Sequence, residues 1–523
     1  MTILGVLVLT VAVVVFFLML RTGRRAGSLP PGPPTIPLFG NLLQIPKASP
    51  HYRFTEWANK YGGIYSLKLG PGIAIVLTDP RLIKQLIDKK GSIYSDRPKS
   101  YVGNELITGG NHVLLMHYSD RWRRFRKLMQ HQFNEGRVER DHVQLIEAEA
   151  VQMMHDFMMD PQEMNWHPKR FSNSVAMSLI YGIRTRNTRT KHMRDLYRIM
   201  EDWSRVMETG ATPPVDLIPW LKYLPQSLWG NWKNRAKDVG RGMDELYKEL
   251  ADRVRQRRAN GTRAGCLMDH VLDQQPNTDF GQAEFAFFGG TILEGGSDTS
   301  SSMILAFIQA MIKYPHIQKK AQLEIDCVTN SERSPVWGDY SDLPYVVQVV
   351  KETMRWRPVT PLSVPHATIA DDEIDGFKIP KGSTVIINVW GLHNSPRHSK
   401  QSPPSQFDPD RYDGRTKLAS EFAASADYAA RDHYGYGAGR RLCPGIHVAE
   451  RNLFIGIAKL LWAFEFREKS GHVIDVDPRT GYSEGFLHCA KPFQCDVKVR
   501  DGRGEVILKE FERAGNVMAR YEE

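Results

Sequence analysis

Cysteine is scarce in this chain. Five occur in 523 residues, at 266, 327, 443, 489 and 495. An odd count at irregular positions does not make a secreted disulfide framework, so a reducing compartment is expected. Long apolar runs are equally rare: Ile3 to Leu20 is the one uncharged stretch long enough to span a bilayer. No repeat recurs, no Gly/Ser linker divides the chain, and no low-complexity tract appears, which excludes collagen-like and disordered classes. A dinucleotide fingerprint is also missing, because Gly435-x-Gly437-x-Gly439 has the wrong spacing and follows no strand. Negative charge is in the minority, 59 Asp and Glu against 69 Lys and Arg, a net +10. That surplus suits nucleic acid, an anionic membrane or an acidic protein partner. The basic run Arg253 to Arg258 is interrupted by Val254 and Gln256 and has no interleaved aromatics. It is read as a solvated helix end, and no nucleic-acid partner is expected.

Residues 1–20 are read as an N-terminal transmembrane anchor. Ile3 to Leu20 would make about 27 Å of helix, close to the hydrocarbon thickness. A cleaved signal peptide would need a basic start and a small-residue cleavage site, and neither is present. Arg21, Arg24 and Arg25 follow, so the short N-terminus is expected in the lumen and the rest in the cytosol. This orientation keeps Asn260-Gly261-Thr262 away from the glycosylation machinery. Residues 21–40, basic and proline-rich with Pro30-Pro31-Gly32-Pro33-Pro34, are read as a stiff hinge.

At about 150 residues per domain the length alone suggests three or four domains, yet nothing separates them. Residues 41–523 are read as one large domain, mainly α with a small β-sheet region. Residues 64–69 and 73–78 around Gly70-Pro71-Gly72 form an expected hairpin, and Ile374 to Val389 carries further strands. Most of Arg121 to Lys351 has helical spacing.

The most specific segment is Tyr434-Gly435-Tyr436-Gly437-Ala438-Gly439-Arg440-Arg441-Leu442-Cys443-Pro444-Gly445, ahead of an apolar helix from Ile446 to Phe464. Glycines let backbone lie flat against a planar ligand and aim N–H groups at a sulfur. Pro444 and Gly445 are expected to start the helix at once, so that its dipole favours thiolate over thiol. A buried thiolate calls for a metal, and two neighbouring arginines call for an anion. A carboxylate-bearing haem supplies both.

The pattern filled by Tyr436, Gly439, Arg441, Cys443 and Gly445 resembles the haem loop of the cytochrome P450 family, with Tyr436 where the family usually has Phe. The Tyr436 hydroxyl is expected near the thiolate. The resemblance implies the cytochrome P450 fold, haem b with Cys443 as axial iron ligand, Arg441 paired with a propionate, and Tyr436 and Gly439 in the cofactor cradle. Trp122 and Arg126, at i and i+4 on one helical face, match the family's propionate-contacting helix. Arg123, Arg124 and Lys127 on its other faces are candidates for meeting an acidic electron donor. Glu352 and Arg355, with Arg411 from Phe407-Asp408-Pro409-Asp410-Arg411-Tyr412, match a structural ion network. Tyr94-Ser95-Asp96-Arg97-Pro98 looks like the segment leading into the substrate-covering loop.

A long helix is expected from Gln282 to Lys313, carrying Glu294-Gly295-Gly296-Ser297-Asp298-Thr299-Ser300. Two mid-helix glycines cost about 1 kcal/mol each, so they need a reason. Close packing is one; another is a Thr299 hydroxyl bond to the Gly295 carbonyl that opens the helix for dioxygen. Asp298 and Thr299 pair an acid with an alcohol, suited to proton delivery, and the stretch resembles the family's catalytic motif.

These motifs imply a membrane-anchored monooxygenase of the endoplasmic reticulum that uses O₂. Its electrons would come from NADPH–cytochrome P450 reductase, with cytochrome b5 a second candidate. By the same likeness the pocket is lined by 101–117, 206–220, Phe287, Phe288, Thr291, Ile292, 362–366 and 484–487, Phe486 among them. His366-Ala367-Thr368 and Arg431-Asp432-His433 are similar to fungal enzymes of secondary metabolism, including hydroxylases of m-cresol and 3-hydroxybenzyl alcohol. Two alternatives stay open: a haem-thiolate isomerase or dehydratase working without O₂, which an intact Asp298-Thr299 pair disfavours, and a non-catalytic haem-binding sensor.

Overall fold

The structure, a computed structural model, describes residue 10 and residues 22–208, 210–274, 280–330, 332–395 and 402–521. The expected anchor, residues 1–20, therefore lies outside the described residues apart from Thr10. Among the described residues no helix is long and apolar enough to cross a membrane.

The expected hairpin forms from β1 (Ile64–Leu69) and β2 (Gly72–Leu77), antiparallel, with Ile64 opposite Leu77. β3 (His366–Ala367), β4 (Asp372–Ile374), β5 (Phe377–Ile379) and β6 (Thr384–Ile387) follow far along the chain. The main sheet has the order β1-β2-β6-β3; β6 lies parallel to β2, and β3 antiparallel to β6. A second pair joins β4 and β5, and a third joins β7 (Phe464–Arg467) and β8 (Asp496–Val499).

The proline-rich segment lies against the domain. Ser66 N donates to Pro31 O at 2.8 Å and Ser66 Oγ to Pro30 O at 2.6 Å. Arg25 donates to the carbonyls of Gly32, Pro33 and Ser66. Pro30 to Pro34 lacks most of its own amide donors, so its carbonyls take partners from β1 and from Arg25.

Helices make up the rest. The ones that shape the site are α1 (Asp120–Phe133), α2 (His167–Tyr181), α3 (Lys191–Met207), α4 (Trp232–Ala259), α5 (Gln282–Lys313), α6 (Pro344–Trp356) and α7 (Ile446–Ala463). α5 has the expected bounds. It is closed to solvent on nearly every side, with Phe285 to Gly290 and Ser300 to Ile312 buried. A helix apolar all round belongs at the centre of a large domain. One hydrophobic cluster spans its neighbours, including Ile146, Met177, Leu250, Phe307, Val346 and Leu461; a smaller one joins the main sheet to Tyr94, Leu392 and Tyr434.

Two sequence expectations change here. α7 begins at Ile446, and Pro444 and Gly445 form a turn ahead of it; at its other end Phe464 belongs to β7. The basic end of α4 is tied down: Arg257 donates to Tyr181 O at 2.8 Å and faces Asp269, while Arg258 meets Asp273 at 2.5 Å. Lying in the last turn, these arginines also complement the helix dipole.

Candidate active site

α1 begins because Ser119 caps it, accepting from Trp122 N at 3.3 Å. Its i and i+4 residues Trp122 and Arg126 then meet the cysteine loop. The Arg441 guanidinium lies 4.1 Å from the Trp122 ring centre, and Arg126 Nη2 donates to the Leu442 carbonyl. The loop itself is shaped by close backbone approach. Gly439 has φ +62°, and a Cβ there would fall 2.4 Å from the Ile87 carbonyl oxygen, so only glycine fits. Cys443 N donates to Tyr436 O at 2.9 Å. Tyr436 thus meets the cysteine through its backbone; its ring packs 5.4 Å from that of His433 and, with Tyr340, Lys351 and Glu450, lines a cavity of about 30 Å³.

Charge in this region is unbalanced. Burial pushes Arg441 down to about 9, opposed by Asp96 and reinforced by Arg126. Burial lowers Arg126 as well, with Cys443 pulling it back up. Arg97 is buried and held well below its ordinary range by desolvation and by Arg441. The hydrogen bonds of these guanidinium groups run to carbonyls: Arg441 to Ser95 O at 2.9 Å and Met116 O at 2.7 Å, Arg97 to Leu114, Val364 and Pro365. Asp96 already accepts from His117 and Tyr118 N. Three desolvated cations around one acid form a site for anionic groups. Burial raises the Cys443 thiol, while the Gly445 amide and Arg126 favour its thiolate. A sulfur so placed needs a cation bonded to it to ionise fully. A planar, iron-bearing macrocycle with two carboxylates fits both demands, so the residues present fit haem.

The helix after the cysteine, α7, packs on α5. Between the ends of α5 accessibility is confined to Thr291 to Thr299, within which Gly295 is exposed and Asp298 and Thr299 are partly so. Thr299 Oγ1 donates to Gly295 O at 2.7 Å, as the spacing predicts. The helix nevertheless continues unbroken through this bond, so the room comes from the missing side chain: a Cβ on Gly295 would meet nothing within 4 Å. Gly296 serves packing, with its Cβ position 3.0 Å from Ala176 of α2. Burial lifts the Asp298 carboxyl above its usual range, with Lys169 and the Ser302 hydroxyl acting against it.

Glu352, Arg355 and Arg411 come together. Arg355 makes a two-pronged contact, 2.7 Å from each Glu352 oxygen, and donates to His393 O, Pro404 O and Gln406 O. Arg411 Nε lies 3.4 Å from Glu352, whose Oε1 also accepts from Asp408 N. Burial opposes the Arg355 charge, but the Glu352 carboxylate more than offsets it and holds the guanidinium above its ordinary range.

Phe287 and Phe288 do not line an aromatic pocket. Phe288 stacks 4.9 Å from Phe125, and Phe287 meets Tyr247 edge-on at 5.3 Å, both inside the core. Sequence reasoning passed over Arg97, the Lys351–Asp432 pair at 2.7 Å and the His112–Glu294 pair at 2.9 Å. Each pair joins residues far apart in sequence. The only local signals were the position of Arg97 in Tyr94 to Pro98 and of Glu294 directly before Gly295.

The family model described as cytochrome P450 matches residues 30–497. The cytochrome P450 monooxygenase macC of Penicillium terrestre is 50% identical over 535 residues, covering 100% of this chain and 99% of its own. The monooxygenases patI of Aspergillus clavatus and yanC of Aspergillus niger are each 51% identical; they cover 96% and 95% of this chain, and 95% of their own lengths. A match of that extent, with half-identical relatives along nearly the whole length, shows that this chain belongs to the cytochrome P450 family: it is an oxidoreductase, a monooxygenase whose cofactor is a thiolate-ligated haem.

Proposed function

We propose that the protein is a membrane-anchored hydroxylase of a small organic molecule, a fungal secondary metabolite of the small phenolic polyketide type, and that Asp298 and Thr299 deliver its protons. The observation that carries this reading is the Thr299–Gly295 bond beside the half-buried Asp298, on the accessible middle stretch of α5.

Bound haem supplies the iron at which dioxygen is reduced, one oxygen atom going to the substrate and the other to water. Cys443 would hold it through the thiolate that the Gly445 amide and Arg126 favour. Arg441, Arg126 and Trp122 would hold the propionates, with Arg97 as a further cation. Thr299 offers a hydroxyl whose proton can be turned from Gly295 O toward the reacting oxygen, and Asp298 restores that proton. Lys169 and Ser302 face Asp298 and give it partners in the ionised state. An isomerase or dehydratase needs no such delivery. Glu352, Arg355 and Arg411 are assigned to holding the fold behind the cysteine loop.

Electrons must reach the site from another protein, since the chain carries no flavin or nicotinamide motif. Arg123, Arg124 and Lys127 are exposed on α1, on the helix that holds Trp122 and Arg126. They suit an acidic donor such as the reductase, with cytochrome b5 as a second. Membrane attachment at the endoplasmic reticulum draws support from more than the apolar N-terminus. Ile36, Leu38, Phe39 and Leu43 are exposed, as are Trp220 at 61% and Tyr223 at 87%. The segments that carry them both reach the β1–β2 turn, where Gly70 N donates to Phe39 O and Leu217 packs against Gly72. Apolar side chains gathered this way suit a lipid surface.

The test is co-expression with a reductase in membranes, with small phenols supplied. A spectral shift and an NADPH-dependent gain of one oxygen atom are expected. Turnover that survives without oxygen and reductase refutes the monooxygenase assignment.

A further inference from the structure

Glu294 is a carboxylate in an apolar place. It lies in the accessible stretch Thr291 to Thr299 of α5, directly before Gly295, and is only 6% exposed. No lysine or arginine pairs with it among the described ion pairs; its partner is His112, whose Nε2 lies 2.9 Å from Oε2. The Tyr247 hydroxyl donates to the other oxygen, Oε1. His112 is fixed from above by Trp203 of α3, stacked at 5.5 Å and 10°. The loop after Tyr101, α3, α4 and α5 thus converge on one acidic group.

A carboxylate has about four lone-pair sites, and these two donors occupy two. Burying such a group is costly unless its acceptors are used. Glu294 itself disfavours an anionic third donor. A neutral hydroxyl meets that condition, and a phenolic O–H, more acidic than an alcohol, is the stronger donor to a carboxylate.

We propose that Glu294, oriented by His112 and Tyr247, is the specificity-determining anchor for the hydroxyl group of a small phenolic substrate. The proposal rests on the phenolic reading above and deepens it. Glu294 fixes where the ring sits on the accessible stretch, and so which carbon faces the reacting oxygen. His112 and Tyr247 act through Glu294 and are positioning residues.

The experiment uses the full-length haem protein in reductase-containing membranes. Ferric spectral shifts are titrated with m-cresol and with toluene, the same ring without its hydroxyl, for the native chain, Glu294→Leu and Glu294→Gln. The carbon monoxide spectrum serves as the check on folding. The native chain should prefer m-cresol, and Glu294→Leu should weaken m-cresol about 10- to 100-fold while toluene changes by less than about threefold. Glu294→Gln, which keeps one acceptor and the shape, should fall between. If both ligands weaken equally, Glu294 only holds the fold and the anchor is overturned. If the native chain oxygenates m-cresol but Glu294→Leu keeps the preference, the anchor fails and the phenolic reading stands. If the native chain ignores both ligands, the phenolic reading fails and the anchor with it.

Discussion

Replacing Glu352 by Gln removes one charge from a fully enclosed pair. In the native chain Glu352 and Arg355 are both 0% exposed and meet through two contacts of 2.7 Å. Glu352 Oε1 also takes Asp408 N at 2.8 Å and lies 3.4 Å from Arg411. A glutamine keeps the shape but turns one acceptor into a donor facing a guanidinium, and takes from Arg355 and Arg411 the carboxylate they share. Breaking a buried pair from one side costs about 3–5 kcal/mol, a fifth or more of the roughly 5–15 kcal/mol that holds an ordinary domain together. The folded-to-unfolded ratio should fall about 140- to 3,700-fold, at about 1.4 kcal/mol per factor of ten. Arg355→Lys keeps the charge and should still be damaging, because one ammonium cannot replace a fork that also serves the carbonyls of His393, Pro404 and Gln406. The assay is the urea midpoint of the reduced carbon monoxide band. A Glu352→Gln protein with the native midpoint would refute the reasoning, since it would mean the charge contributes nothing where it is most enclosed.

Thr299→Ala should retain the haem spectrum and continue to consume NADPH, yet form about 100-fold less hydroxylated product or lower still, the missing oxygen appearing as hydrogen peroxide. Unchanged product per NADPH would remove Thr299 from proton delivery. Acid should destabilise the protein below pH about 6.5, the ordinary histidine value. Burial holds His51 and His366 neutral down to about 3, and His433 and His488 down to about 4. The unfolded chain takes up these protons first, so stability falls as pH drops, by up to about 1.4 kcal/mol per pH unit for each histidine. His488→Gln should shallow the fall in urea midpoint between pH 6.5 and 5; a native midpoint flat over that interval contradicts the argument.

What was legible in the sequence was local. The bounds of α5 follow from helical spacing that carries no proline until Pro315, and the β1–β2 hairpin from its Gly-Pro-Gly turn. The Thr299–Gly295 bond follows from helical spacing alone. Trp122 and Arg126 share a face by the same periodicity, although their meeting with Arg441 and Leu442 spans over three hundred residues and rested on resemblance. Features created by tertiary contact were not legible. Phe287 and Phe288 looked like pocket walls because sequence shows that they are aromatic and not which way they turn. The prolines of 30–34 read as a hinge because the pattern says only that no helix passes through; that Ser66 and Arg25 satisfy their carbonyls depends on where β1 lies. Arg257 and Arg258 read as solvated because Asp269 and Asp273 sit on another helix. His112 and Glu294 have no common signal at all, since 182 positions separate them.

The central claim is that Cys443 ligates haem iron through its thiolate, in the loop that Arg126, Arg441 and the Gly445 amide surround. The most direct measurement is the carbon monoxide difference spectrum of the reduced full-length protein, native and Cys443→Ser. The account predicts the strongly red-shifted band of a thiolate-ligated haem in the native chain and its loss in Cys443→Ser; retention of that band in the serine variant would contradict it.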